Sequence, residues 1–253
     1  MPRRDLSEIE RAKQEVRERV WALLERENAV QPPGAHGRIP NFVGADAAAE
    51  QLATLPAWQA AKVIKANPDK AQLPVRVHAL TEGKLLYMAV PRLADARPFY
   101  LLDPDVLRVS PWDAASSRGA ATAARKVTVD DLRPVDLVVC GTVAVNREGV
   151  RVGKGGGFSD LEVALLLEAG LLGPETILVT TVHALQVGDE VLPETKHDFR
   201  VDLVVTPDEV IWCPPHPQPP GILWKHLDET KIAEVPVLDD MRMSAHLPHA
   251  GSD

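Results

Sequence analysis

The chain has 253 residues, 45% of them hydrophobic and 25% charged, with a formal net charge of −8. That balance belongs to an ordinary globular protein and excludes low-complexity and collagen-like chains. The acidic total argues against a nucleic-acid partner, which needs clustered positive charge. No run approaches about 18 uninterrupted apolar residues and the first residues are charged, so a cytoplasmic location and no membrane partner are expected. Cys140 and Cys213 cannot build a disulfide framework and stand in no metal-ligand spacing.

In chain order, Asp5 to Asn28 reads as an amphipathic helix. Ser7 and Glu10 have capping-box spacing, and Leu6, Ile9, Val16, Val20, Leu23 and Leu24 recur at helical intervals. Gln31 to Gly37 breaks it, and an alanine-rich helix follows over Ala45–Leu55. Three short apolar runs, Ala61–Ala66, Val75–Ala79 and Leu85–Val90, read as strands from their length and flanking Pro, Asn and Gly. Arg97 to Lys126 reads as loop with short helical turns. Asp136–Cys140 is a compact buried strand; a Gly-rich loop and a helix over Asp160–Ala169 come after it. Ile177–Val182 and Val201–Val205 are continuous apolar strands of the kind found in sheets covered on both faces. Strand, loop, helix, strand is the rhythm of an α/β protein. Residues 1–213 are therefore expected to form one domain. The Pro-rich stretch Pro214 to Pro220 predicts that residues 214–253 are an extended arm or partly disordered.

The informative stretch is Arg151-Val-Gly-Lys-Gly-Gly-Gly-Phe-Ser-Asp160. Gly153, Gly155, Gly156 and Gly157 allow several amides to face one concave side. Ser159 and Glu162 have capping-box spacing, which predicts a helix N-terminus and hence an anion site. Arg151 and Lys154 add positive charge, and Asp160 is placed to hold a Mg²⁺ bridging phosphate oxygens. The loop lacks the Gly-Lys-Ser/Thr ending of a P-loop, and Phe158 occupies the third glycine position of the dinucleotide fingerprint.

With these residues in view, the sequence resembles the 5-formyltetrahydrofolate cyclo-ligase, or methenyltetrahydrofolate synthetase, family. Three islands carry the likeness: Lys13-Gln-Glu-Val-Arg17; Pro134-Val-Asp-Leu-Val-Val through Gly153-Lys-Gly-Gly-Gly-Phe-Ser-Asp160; and Asp198-Phe-Arg-Val-Asp202 with the strand after it. Their order and spacing fit from about Asp5 to Trp212. The resemblance implies a three-layer α/β sandwich with a mostly parallel central sheet, like that of sugar-phosphate isomerases and CoA-transferases. It implies ATP and Mg²⁺ as cofactors and a reduced folate as the small-molecule partner, in a monomer or homodimer. Such an enzyme converts 5-formyltetrahydrofolate to 5,10-methenyltetrahydrofolate, releasing ADP and phosphate. By position, Lys13 and Arg17 would contact the ATP phosphates, and Arg151, Gly153, Lys154, Gly155, Gly156, Gly157, Phe158 and Ser159 would wrap them. Lys154 and Asp160 would be catalytic, Asp160 and Asp198 would hold the metal, and Asp69 and Phe158 would meet the folate.

The loop departs from the family's Gly-Arg-Gly-Lys-Gly-Tyr-Tyr-Asp. Gly156 replaces its inner lysine, and Phe158 and Ser159 replace its paired tyrosines. An ungapped match sets Ala71, not Asp69, at the acidic folate position. Ile39-Pro-Asn-Phe-Val-Gly44 and Asn67-Pro-Asp-Lys70 look like a divergent branch. Other readings stay open: a nucleotide- or folate-binding relative without the reaction, acting on another substrate, or a sugar-phosphate isomerase on a similar scaffold. Taken alone, Lys13 and Arg17 are a solvated i,i+4 stripe, and Asp198 and Asp202 are turn residues. A His183/His197/Asp198 metal cluster has no supporting HxxxH or CxxC spacing. Cys140 reads as core packing, and Gln186 as either pocket or surface.

Overall fold

The computed structural model describes residues 3–218 and 221–245. Helix α1 (Arg3–Arg26) buries Val16, Val20 and Leu24, the i,i+4 stripe expected of it. Ser7 and Glu10 lie inside this helix rather than capping it. Next come α2 (Ala45–Ala53), α3 (Pro56–Ala60) and strand β1 (Val63–Ala66). The run Val75–Ala79, expected as a strand, is instead part of α4 (Leu73–Thr81). Pro74 sits in its first turn, where a fixed φ favours helix, and Val75 and Ala79 are buried at i,i+4 spacing.

The segment read as loop holds β3 (Phe99–Leu102), α5 (Pro111–Ala115), α6 (Ser117–Ala123) and β4 (Arg125–Val127), preceded by β2 (Leu85–Ala89). Strands this short carry almost no periodic signal; they exist because β2, β3 and β4 pair antiparallel in succession. The chain continues through β5 (Leu137–Cys140), β6 (Ala144–Asn146), β7 (Arg151–Val152), α7 (Phe158–Glu168), β8 (Ile177–Thr181), β9 (Val187–Gly188), β10 (Leu203–Val205) and β11 (Val210–Trp212).

The main sheet has eight strands in the order β11-β10-β8-β5-β1-β2-β3-β4. Its five central strands, β10 to β2, run parallel, with antiparallel pairs only toward the two edges. Helices cover both faces, giving an α/β fold with a large, mostly parallel central sheet. A second sheet, β7-β6-β9, lies beside α1. From β1 the chain winds one way to β2 and the other way to β5, β8 and β10. The crevice between the carboxyl ends of β1 and β5 is therefore a topological switch point, where open α/β sheets bind ligands.

Side-chain alternation along β1 divides the core. Ile64 and Ala66 pack with Leu52, Trp58 and Val75 under α2, α3 and α4, whereas Val63 faces the α7 side. Helix α7 is buried along most of its length: Leu161, Val163, Ala164, Leu165 and Leu166 are all buried. Each large aliphatic side chain contributes about 1.5–3 kcal/mol on the scale of apolar transfer, as an upper bound.

What covers the outer side of α7 is the part expected to be an extended arm. After the Pro-rich stretch the chain returns at Gly221 and forms α8 (Glu229–Glu234) and α9 (Pro236–Ala245). Ile222, Ile232, Val235 and Leu238 join the α7 cluster. The hydrophobic spacing in 221–245, not the prolines before it, decided the outcome. The remainder of the expected arm, 246–253, lies outside the described residues.

Candidate functional site

A cavity of about 1080 Å³ opens at the switch point. Its walls come from α1, the turn after β1, the Gly-rich loop with the first turn of α7, Asp198, and the returning segment from Gly221 to Glu234. Gly141, directly after β5, stands where the walls meet. A Cβ there would lie 2.8 Å from Asp69 Oδ2 and 3.0 Å from the Ile39 side chain, so any larger residue would displace the Asp69 carboxylate.

The turn after β1 is held from behind. Arg76, fully buried on α4, donates to the carbonyls of Asn67, Pro68, Asp69 and Ala115. Burial lowers its pKa to about 10, so the guanidinium is still charged at neutral pH. This places Asp69 on the cavity rim, 3.3 Å from Lys154 Nζ. Ala71, the ungapped alternative, is buried in the α1 cluster instead.

The Gly-rich loop ends at Gly157, which caps α7 in the left-handed region at φ 68 and makes no side-chain cap bond. Neither Ser159 nor Glu162 forms the expected capping box. Ser159 Oγ accepts from Asn67 Nδ2 at 3.1 Å, and Glu162 turns inward to the ammonium of Lys65 on β1. Lys65 also donates to Asn67 Oδ1 at 2.7 Å. Sequence reasoning missed this buried pair; the signal was a lysine inside a four-residue apolar strand, which demands a partner.

The predicted cations do converge. Arg17 Nε donates to the carbonyl of Gly153 at 2.7 Å, and Lys13 Nζ bonds Asp198 Oδ2 at 2.6 Å. Both side chains are about 6% exposed, so they are not a solvated stripe. Arg151 Nη2 bonds Asp160 Oδ1 at 2.5 Å and its guanidinium lies 3.7 Å over the ring of Phe199. Arg151 Nε is buried without a hydrogen-bond partner.

The two carboxylates expected at a metal sense each other. Burial pushes Asp160 up, Arg151 pulls it back, and the charge of Asp198 raises it again. For Asp198, burial acts upward, but the charge and hydrogen bond of Lys13 and the Thr195 N–H hold it below the ordinary value. Each carboxylate meets its cation through a single oxygen. Two neighbouring half-buried acids that repel one another fit a hard divalent cation of the Mg²⁺ kind, which is content with one or two carboxylates plus phosphate oxygens and water. Among the described residues no group of three His, Cys, Asp or Glu could hold a metal. The His183/His197/Asp198 cluster is accordingly not formed: His183 caps a short turn through Leu185 N and packs against Phe42.

Gln186 is buried, donating to the carbonyls of Thr142 and Val143, and does not line the cavity. Cys140 lies in the core, where burial pushes its thiol up. Beyond Lys65 and Glu162, the residues that sequence reading did not find come from 221–234. His226 Nδ1 lies 3.1 Å from His197 Nδ1, beside Asp198. Lys231 Nζ reaches the carbonyl of Gly156 at 3.3 Å and stands 4.0 Å over the Phe158 ring. An ammonium thus arrives at the loop position where the resembling loop has a lysine of its own. Among the described residues no helix is long and apolar enough to cross a membrane.

Comparison with known proteins places the chain. The model of the 5-formyltetrahydrofolate cyclo-ligase family matches residues 9–207. A methenyltetrahydrofolate synthase domain-containing protein of Bos taurus is 38% identical over 242 residues, covering 91% of this chain and 62% of its own length. The Homo sapiens protein described in the same words is 35% identical over 253 residues, covering 96% and 64%. The chain thus spans less than two thirds of the length of these curated relatives. The solved structure of Aquifex aeolicus 5,10-methenyltetrahydrofolate synthetase shares the fold, with a TM-score of 0.51 at 20% identity, over 87% of this chain and 99% of that one.

Proposed function

The chain belongs to the 5-formyltetrahydrofolate cyclo-ligase family, and from that premise we propose that it converts 5-formyltetrahydrofolate, or a close reduced folate, to the 5,10-methenyl form. ATP and Mg²⁺ are consumed or held in the same cavity, and ADP and phosphate leave. The observation that carries this reading is the convergence of Lys13, Arg17, Arg151 and Lys154 with Asp160 and Asp198 on one cavity. At about 1080 Å³ it lies at the top of the range of roughly 300–1,000 Å³ usual for a ligand pocket and has room for a sizeable ligand.

In the proposed reaction the formyl oxygen attacks the γ-phosphorus of ATP. An O–P bond forms, the β–γ bridging bond breaks, and ADP departs. N10 then attacks the activated formyl carbon, the carbon–oxygen bond to phosphate breaks, and the N10 proton is lost to solvent. Bound Mg²⁺ would neutralise phosphate charge as it develops. The chain's own residues do the positioning. Asp160 and Asp198 would hold the metal, each already fixed by a cation. Arg151 orients Asp160 and adds its charge to the cavity wall, and Arg17 fixes the loop that carries Lys154. Asp69, on the rim, faces the folate, and the Phe158 ring offers it a flat apolar contact.

The test is the near-ultraviolet absorbance of the methenyl product on mixing protein with 5-formyltetrahydrofolate, ATP and Mg²⁺. A rise that Asp160→Ala abolishes is expected. No rise from protein that binds ATP would sink the cyclo-ligase reading and favour a binding relative, for which the losses at Gly156, Phe158 and Ser159 already speak.

A further inference from the structure

We propose that Lys231 is a phosphate-binding cation of the nucleotide site, so that the segment from Gly221 to Glu234 completes the site instead of merely covering it. The inference rests on the nucleotide reading above and deepens it.

Lys231 lies beyond residue 207, where the family match ends. Its placement is fixed at three levels. The helix that carries it is anchored in the core by Ile232, and the chain straight after it by Val235 and by Leu238 of α9, all buried against the α7 cluster. Asp228 caps that helix by accepting from Lys231 N at 2.7 Å, which sets the direction in which residue 231 leaves the backbone. The aliphatic stem and ammonium then lie over the Phe158 ring, 4.0 Å from its centre.

From there Nζ touches the carbonyl of Gly156, while Arg17 holds the carbonyl of Gly153 from the opposite wall. The loop is thus gripped between two cations, one from α1 and one from α8, and both line the cavity with Lys154 and Arg151. The side chain is 26% exposed, and its carboxylate partner is Glu234 at 2.8 Å, itself 36% exposed. An ammonium with an exposed, weakly held counter-ion can exchange that partner for a ligand phosphate at small cost. A purely structural lysine would keep these protein partners whether or not the ligand is bound.

The measurement is calorimetric titration of Mg²⁺ with a non-hydrolysable ATP analogue into the wild-type chain, Lys231→Ala, Lys231→Arg and Glu234→Gln. Loss of one charge-assisted phosphate contact predicts roughly tenfold weaker binding in Lys231→Ala, most of it restored in Lys231→Arg. Glu234→Gln should bind as tightly as wild type or tighter, since it removes the competitor. Wild-type affinity in Lys231→Ala overturns the inference and leaves the nucleotide reading standing. Equal weakening in Lys231→Ala and Glu234→Gln, with lower melting temperatures, overturns it by marking a packing role. No binding by the wild-type chain overturns both.

Discussion

Helix α7 carries two ion pairs two residues apart, and they are opposites in everything but charge. Residues i and i+2 on a helix point to nearly opposite sides, so Glu162 turns to Lys65 on the sheet and Asp160 to Arg151 on β7. The first pair is closed. Lys65 is 0% exposed, Glu162 5%, and Asn67 takes the next hydrogen bond of the ammonium. The second is open. Asp160 is 18% exposed on the cavity wall, and a second carboxylate, Asp198, repels it across the gap. A closed pair fixes where the helix sits; an open one leaves a carboxylate facing the cavity for a ligand.

Breaking the closed pair should have the largest effect. Lys65→Met or Glu162→Leu alone strands a buried charge and should cost about 3–5 kcal/mol, whereas the double variant should return close to wild type; urea denaturation measures all three. If the singles are mild, the pair is not what seats α7.

Asp160→Asn should do the reverse. Turnover should fall by about 10²–10³-fold, while the urea midpoint moves little, because repulsion from Asp198 disappears along with the Arg151 contact. A stability loss as large as that of Glu162→Leu would erase the distinction.

Gly157→Ala tests the cap that both pairs share. There is open space for the methyl group, so only the left-handed φ of 68 is charged to it, and about 1 kcal/mol of stability should go. The smallest effect is in pH. Burial raises Glu162 above its ordinary 4.5, with Lys65 pulling it back only in part. Its protonated form is therefore favoured by folding: its contribution is fully present below 4.5 and is lost as pH rises through the elevated value. Stability of the Lys65→Met/Glu162→Leu double variant should fall less over that window than wild type does.

The open pair was far more legible in the sequence than the closed one. Arg151 and Asp160 sit in a glycine-dense loop, where composition already marks a ligand site. Lys65 hides in Val-Ile-Lys-Ala, and nothing local says which distant acid answers it. The central strands β5, β8 and β10 were readable because strands covered on both faces are continuous apolar runs. Val75–Ala79 misled because five residues cannot separate a strand from one turn and a half of helix, and Arg76, polar in the pattern, is buried in fact. Lys231 was out of reach for another reason. The prolines after Cys213 read as the end of the fold, although a chain can leave in an extended stretch and come back.

The guanidinium of Arg76, sealed behind the turn after β1, has a kinetic consequence. It adds to Lys13, Arg17, Arg151 and Lys231 a positive charge that no solvent reaches, inside a chain whose formal net charge is −8. A polyanion approaching from bulk therefore meets repulsion first and attraction only within about a Debye length, roughly 8 Å at physiological salt. On that account capture at the cavity mouth, and not long-range steering, should set the association rate. Added salt should speed arrival by screening the acidic surface even as it weakens the hold of the cradle within.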